Sequence, residues 1–211
     1  MQLKSPIMKR AGPLVVILMS IMLAGCAGND ERQDEVQNLT DAYTKAQEAI
    51  GQGNFRRGIQ IFEAIQARFP FSELSRKIQL ELMHAYYKSG QREQAIDAAD
   101  TFMRENPTHP RVDYALYIKA LAHFEDGPGM LERWFRKDTT RRPPKDLEQS
   151  YSDFRRLVDR FPASEYAPDA EQRMIYIKNR LAEYENHVAD YYFRRGAYVA
   201  ALRRAKSALE Q

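Results

Sequence analysis

The sequence predicts an all-α fold, a solenoid of antiparallel helix pairs, and three observations predict it. Gly53, Gly90 and Gly127 stand 37 and 37 residues apart. Each follows a helix-like run, Leu39 to Gln52, Leu74 to Ser89 and Val112 to Asp126. One packing face recurs before each glycine: Ala46, Met83 and Ala120 seven residues back, and Ala49, Tyr86 and His123 four back. A second helix then runs to a proline 17 residues past the glycine, Pro70 and Pro107. A fixed period of about 20 to 50 residues marks stacked units that bury their apolar faces only against their neighbours.

In chain order, the first 25 residues read as an address. Lys4, Lys9 and Arg10 give a positive start, and Pro13 to Leu23 is an apolar run of eleven residues. That is too short for the ~20 residues of a membrane span but fits the apolar region of a signal peptide. Leu23-Ala24-Gly25-Cys26 then resembles the bacterial lipobox, and Cys26 is the only cysteine of the chain. The resemblance implies a lipid carried on Cys26, where several acyl chains on one residue would anchor the protein stably. Ala27 follows where an Asp would signal retention in the inner membrane, so the expected location is the outer membrane, facing the periplasm. Residues 28–35 are polar without apolar periodicity and read as a solvated tether. The expected organisation is a signal peptide over 1–25, a lipidated tether over 26–38 and a repeat domain over 39–211.

Within the repeats, Gly58 and Ala95 lie five residues after their glycines, and small residues there let the two helices of a pair approach closely. The third closing proline, Pro162, comes 55 residues after Pro107, an excess of 18 over the period, and Gly127 to Pro144 is an insertion of that length bracketed by turn-forming residues. Removing it aligns Ser150 and Phe154 with Gly58 and Phe62. The fourth first helix is extended, from Ala167 to Arg195, with Ala170, Met174, Ile177, Leu181, Tyr184, Val188 and Tyr191 as one apolar stripe. Small residue, aromatic and closing proline describe the tetratricopeptide type, four repeats being visible. A fourth closing proline would fall at position 213, two residues past Gln211, and no polar capping helix follows. The expectation is therefore that a C-terminal piece is lacking.

Composition narrows the function. The 211 residues are 44% hydrophobic and 29% charged, which fits a globular chain. The net charge of +3 comes entirely from Lys4, Lys9 and Arg10, so the remainder is neutral and no nucleic-acid partner is expected. His84, His109, His123 and His187 have neither the spacing nor the cysteine partners of a metal site, and a packing role is expected for His123. No nucleotide-binding loop or nucleophile motif occurs. The expectation is a non-enzymatic protein with no cofactor and no metal. Twelve tyrosines, among them Tyr86, Tyr87, Tyr114, Tyr117, Tyr191, Tyr192 and Tyr198, are candidates for peptide capture or for packing between repeats. Trp134 and Phe135, in an insertion with five basic and two acidic residues, have the composition of a partner-binding hot spot.

These residues together resemble the BamD family of lipoproteins from the outer-membrane β-barrel assembly machine. The resemblance is carried by Pro70-Phe71, Gln79 to Leu82, Ala85 to Lys88, Asn106 to Pro110, Asp113-Tyr114, Ser152 to Phe154, Phe161-Pro162 and Val188 to Ala200. It implies an adaptor with five repeats whose N-terminal repeats receive unfolded barrel proteins by a C-terminal aromatic signal. Arg56, Tyr86 and Tyr87 are the contacts expected there, the guanidinium meeting the terminal carboxylate. It further implies docking of C-terminal repeats on the periplasmic POTRA domains of BamA, with Arg204 as the contact, and association with other Bam lipoproteins. Counting from Gly196 also places Arg203 and Arg204 outward, between the packing positions Ala201 and Ala205. A tetratricopeptide lipoprotein of another envelope assembly path, such as a secretin pilotin, shares the anchor and the repeats. It is expected to lack the insertion and the extended helix.

Overall fold

The structure, a computed structural model, describes residues 27–70, 72–124 and 145–210. These residues form helices α1 (Ala27–Gly51), α2 (Phe55–Arg68), α3 (Glu73–Lys88), α4 (Arg92–Glu105), α5 (Val112–Phe124), α6 (Lys145–Arg160), α7 (Ala167–Arg194) and α8 (Tyr198–Glu210). Each helix packs on the next in sequence, and α3 also packs on α5. Contacts therefore stay between neighbours, as a stack of pairs requires.

The repeat is written in backbone hydrogen bonds. Gly53, Gly90 and Gly196 adopt φ of 79°, 77° and 76°, the left-handed conformation that glycine enters without a Cβ penalty. In each case the residue after the glycine donates to the carbonyl five back: Asn54 to Ala49 at 2.8 Å, Gln91 to Tyr86 at 2.9 Å, Ala197 to Tyr192 at 3.0 Å. That is the Schellman closure of a helix end. The second helices end alike. Phe69, Asn106 and Phe161 each donate to the carbonyl four residues back at 2.8 Å, and a proline follows each directly. The third of these turns keeps the geometry despite the 18 extra residues, so the insertion leaves the repeat unit intact.

Close approach within pairs follows from the small residues. Gly58, Ala95, Ser150 and Ala201 are all buried. At Gly58 a Cβ would overlap Ile50 and lie 3.1 Å from the Ala46 carbonyl oxygen. Ser150 uses the same proximity differently, donating to the Ala120 carbonyl at 2.9 Å. Phe62, Phe102 and Phe154 fill the layers beyond with no exposure.

Two apolar cores result, and α3 is the wall between them. Ile78, Leu82 and Ala85 face Ala46, Ile59, Phe62 and Ile65 of α1 and α2. Met83 belongs to the larger core that runs through Phe102, Leu116, Phe154 and Leu157 to Ile177 and Leu181.

The structure differs from the sequence reading in two places. Helix α1 begins at Ala27, twelve residues before the Leu39 of the expected first helix, so the described part of the expected tether is helical. Missing apolar periodicity speaks only of a missing buried face. Extension from a packed helix needs no new nucleus. The second difference concerns α7, which is as long as expected at 28 residues, roughly 42 Å. Its stripe is buried only from Ala167 to Leu181, while Tyr191 is 49% exposed. The insertion, with Trp134 and Phe135, and likewise Cys26, lie outside the described residues.

Candidate peptide-binding cleft

The first two helix pairs position the expected peptide contacts. Asn54 caps α2 by accepting from the Arg57 N–H at 3.3 Å, which sets the start of the helix and places Arg56 in its first turn. Arg56 is exposed and lines a cleft with Phe55, Ile59, Gln60, Glu63 and Gln91. Arg56, Gln60 and Glu63 are spaced four and three apart, one face of α2. Tyr86 of α3 joins this face by donating its hydroxyl to Glu63 Oε1 at 2.6 Å. Burial, then that hydrogen bond and the Glu63 charge, push the Tyr86 phenol far above its ordinary value, so it stays protonated. A guanidinium, a carboxylate and the apolar Phe55 and Ile59 therefore line one furrow, and the Tyr86 phenol reaches it through Glu63 while its ring lines the neighbouring cleft.

Tyr87 is not part of it. Adjacent helical residues point about 100° apart, and Tyr87 packs against the larger core beyond α3, its ring 5.8 Å from the Lys88 ammonium. Sequence reasoning missed Glu63, although its helical spacing from Arg56 was visible.

Other candidate tyrosines are bound internally. Tyr117 stacks on Tyr166 at 4.7 Å and donates to Asp169 at 2.6 Å. Burial and that bond raise its pKa to about 12. The Tyr114 hydroxyl is 3.0 Å from His84 Nδ1, and the Arg111 guanidinium lies 4.7 Å above its ring. Burial, then the Lys88 charge, lower the His84 pKa. His123 Nδ1 is 3.0 Å from the buried Asp153, a packing contact between α5 and α6. Tyr191 and Tyr198, by contrast, are 49% and 64% exposed.

At the other end, Arg203 and Arg204 are both exposed on α8 beside buried Ala201. Arg204 does not stand alone: its Nη1 donates to both Glu185 oxygens, at 3.0 and 3.1 Å, and the Glu185 side chain is only 13% exposed. Arg203 makes no ion pair among the described residues. Tyr198 and Val199, 64% and 68% exposed, line a groove with Arg203 and Arg204, and Leu202, 71% exposed, lines another with Phe193. No described helix is long and apolar enough to cross a membrane.

Comparison with known proteins matches the same stretch of chain. The family described as YfiO, outer membrane lipoprotein, matches residues 35–211. The outer membrane protein assembly factor BamD of Neisseria gonorrhoeae is 36% identical over 198 residues, 92% of this chain and 74% of that protein. BamD of Vibrio cholerae is 35% identical over 190 residues, 90% of this chain and 78% of its own length. BamD of Xylella fastidiosa strain Temecula1 is 32% identical over 197 residues, 93% and 67%. The three glycine turns and every helix from α2 on fall within the matched residues, as does α1 from residue 35, and the chain belongs to the YfiO family of outer membrane lipoproteins.

Proposed function

We propose that this protein serves in outer membrane protein assembly as a non-enzymatic scaffold, held to the periplasmic face of the outer membrane by lipid on Cys26. One observation carries the reading: similarity to assembly factors runs through all four helix pairs and not through a single repeat. In this reading residues 1–25 are removed as a signal peptide, and α1 leads directly from the anchor into the first core. The furrow with Arg56 and Tyr86 receives the C-terminal segment of an unfolded barrel protein, Arg56 meeting its carboxylate by a charge-assisted hydrogen bond. Tyr87 supports that furrow from behind α3. Arg204, with Trp134 and Phe135 of the insertion, contacts the POTRA domains of BamA or another Bam lipoprotein. The Glu185 pairing orients Arg204 and also competes with an acidic partner for it.

The test is affinity purification of the tagged full chain from mildly solubilised membranes. BamA is expected to co-purify. Recovery is expected to fall with Arg204→Glu, which sets a second carboxylate against Glu185 and the partner, and to persist with Arg203→Glu. Cys26→Ala is expected to leave a folded protein in the soluble fraction. Absence of BamA from the purified wild-type complex would overturn the scaffold reading.

A further inference from the structure

The apolar stripe of α7 is longer than its described neighbours. Ala170, Ile177 and Leu181 are at most 7% exposed and belong to the larger core, with Met174 packed against it. The stripe continues at the same spacing to Tyr184, Val188 and Tyr191, none of which that core includes. Helix α6, joined to α7 by the turn after Phe161 and packed on it, has 16 residues against 28. The last twelve residues of α7, from Glu183 on, therefore run past the start of α6. The described part of α5 stops shorter still, its Phe124 ring lying 5.6 Å from Tyr176 and 4.9 Å from the Arg173 guanidinium. Helix α8 takes another flank, where Arg204 holds Glu185 and Leu202 lines a groove with Ala189 and Phe193.

The chain that joins α5 to α6 leaves and returns beside this length of α7. Arg92 holds both of its ends. Its Nε donates to the Ala122 carbonyl at 2.8 Å and its Nη2 to that of His123 at 3.4 Å, and Nη2 lies 3.9 Å from Asp146 in the first turn of α6. Residues 125–144, outside the described residues, connect the two. From Leu181 to Tyr191 is about 15 Å of helix, a distance that ten residues cover even at helical rise, so a segment of this length reaches the far end and returns. In sequence it carries Met130, Leu131, Trp134 and Phe135 at i, i+1, i+4 and i+5, the spacing of one helical face, with Arg133, Arg136 and Lys137 off that face. An apolar stripe at alternating spacings of four and three needs such a face against it. Attachment at both ends keeps the segment at high effective concentration over α7, ahead of any free molecule.

We propose that residues 130–135 of the insertion seat on Tyr184, Val188 and Tyr191, so that the insertion continues the layer of α6 along α7. The long helix and the insertion then account for each other: the extra turns of one are the floor for the extra residues of the other. The seating is independent of any partner, since a Bam subunit that meets Trp134 and Phe135 would meet them already mounted on α7.

Trp134 is the only tryptophan of the chain, so the emission of the full lipidated protein in detergent reports on this one residue. Blue-shifted emission shielded from acrylamide is expected for the wild type. Val188→Asp and Tyr191→Lys should each shift it to the red and raise quenching toward that of free N-acetyltryptophanamide. Leu202→Asp, on the α8 flank, should change neither. Circular dichroism reports whether each variant is folded, and Tyr191, 49% exposed, accepts a charge where Val188→Asp could cost the fold. Light-activated crosslinking from Leu131→p-benzoylphenylalanine is expected to join the insertion to a peptide of α7 within one chain. Three results would each overturn the proposal: wild-type Trp134 as open to quenching as the free amide, shielding that a folded Tyr191→Lys leaves unchanged, as burial in the detergent micelle would, or crosslinks to a second copy alone.

Discussion

The third helix pair and the fourth each place a small residue, Ser150 and Ala201, at the close contact, yet they bury themselves differently. In α6, Leu147, Phe154 and Leu157 are at most 6% exposed, because α5 lies on one side and α7 on the other. In α8 only Ala201 is buried, and Val199, Leu202 and Leu209 are 68%, 71% and 89% exposed. Among the described residues α8 packs closely on α7 alone. Among the described residues the same repeat thus supplies stability where neighbours stack on both sides and presents apolar surface where a neighbour stacks on one. A second helix owes its burial to the pair that follows it.

The largest effect should come from breaking that contrast in the middle. Phe154→Ala empties a site with no exposure and is expected to cost about 3–5 kcal/mol, whereas Leu202→Ala should stay within about 0.5 kcal/mol. Urea titration followed by circular dichroism measures both. Equal losses at the two positions would mean that α8 is covered as fully as α6.

Next in size is the contact between α1 and α2. Gly58→Ala places a Cβ against Ile50 and the Ala46 carbonyl, and the backbone oxygen cannot move without shifting α1. The expected loss is about 1–3 kcal/mol. Ala201→Ser, at the matching place in the fourth pair, should cost less in the same titration, since among the described residues α8 packs closely on α7 alone.

The smallest effect sharpens the boundary between the third and fourth pairs. Burial raises the Asp169 pKa, but hydrogen bonds from Arg173 and Tyr117 outweigh it, and the net shift is downward. A depressed native pKa contributes stability above the unfolded value, near 3.8, and loses it as pH falls through the native one. Asp169→Asn is therefore expected to cost about 0.5 kcal/mol at neutral pH, given the partial exposure, and progressively less below about pH 4. Thermal midpoints across that range check the sign. A gap between wild type and variant that widens in acid would contradict it.

Much of the fold was legible because its determinants are local. A glycine that must take positive φ, a proline that cannot continue a helix and a small residue five places after the turn each act within a few residues. The candidate sites were less legible. Arg56 lines the furrow and Tyr86 reaches its Glu63, whereas Tyr87, the next residue in sequence, packs against the larger core. Tyr117 was an open case between capture and packing. Its stacking on Tyr166 and its bond to Asp169, 52 residues away, bind it to the interior.

By itself the sequence determined the helix pairs, their period, the tolerance of an 18-residue insertion and the length of α7, since backbone preferences and apolar spacing decide these within one or two turns. Only the tertiary structure decided that α3 divides two cores, that Glu63 holds Tyr86, that Glu185 holds Arg204 and that α8 presents an apolar face. Those outcomes depend on how whole helices dock. A change of 100° in helix rotation exchanges a buried neighbour for an exposed one, and no short stretch of sequence fixes that angle.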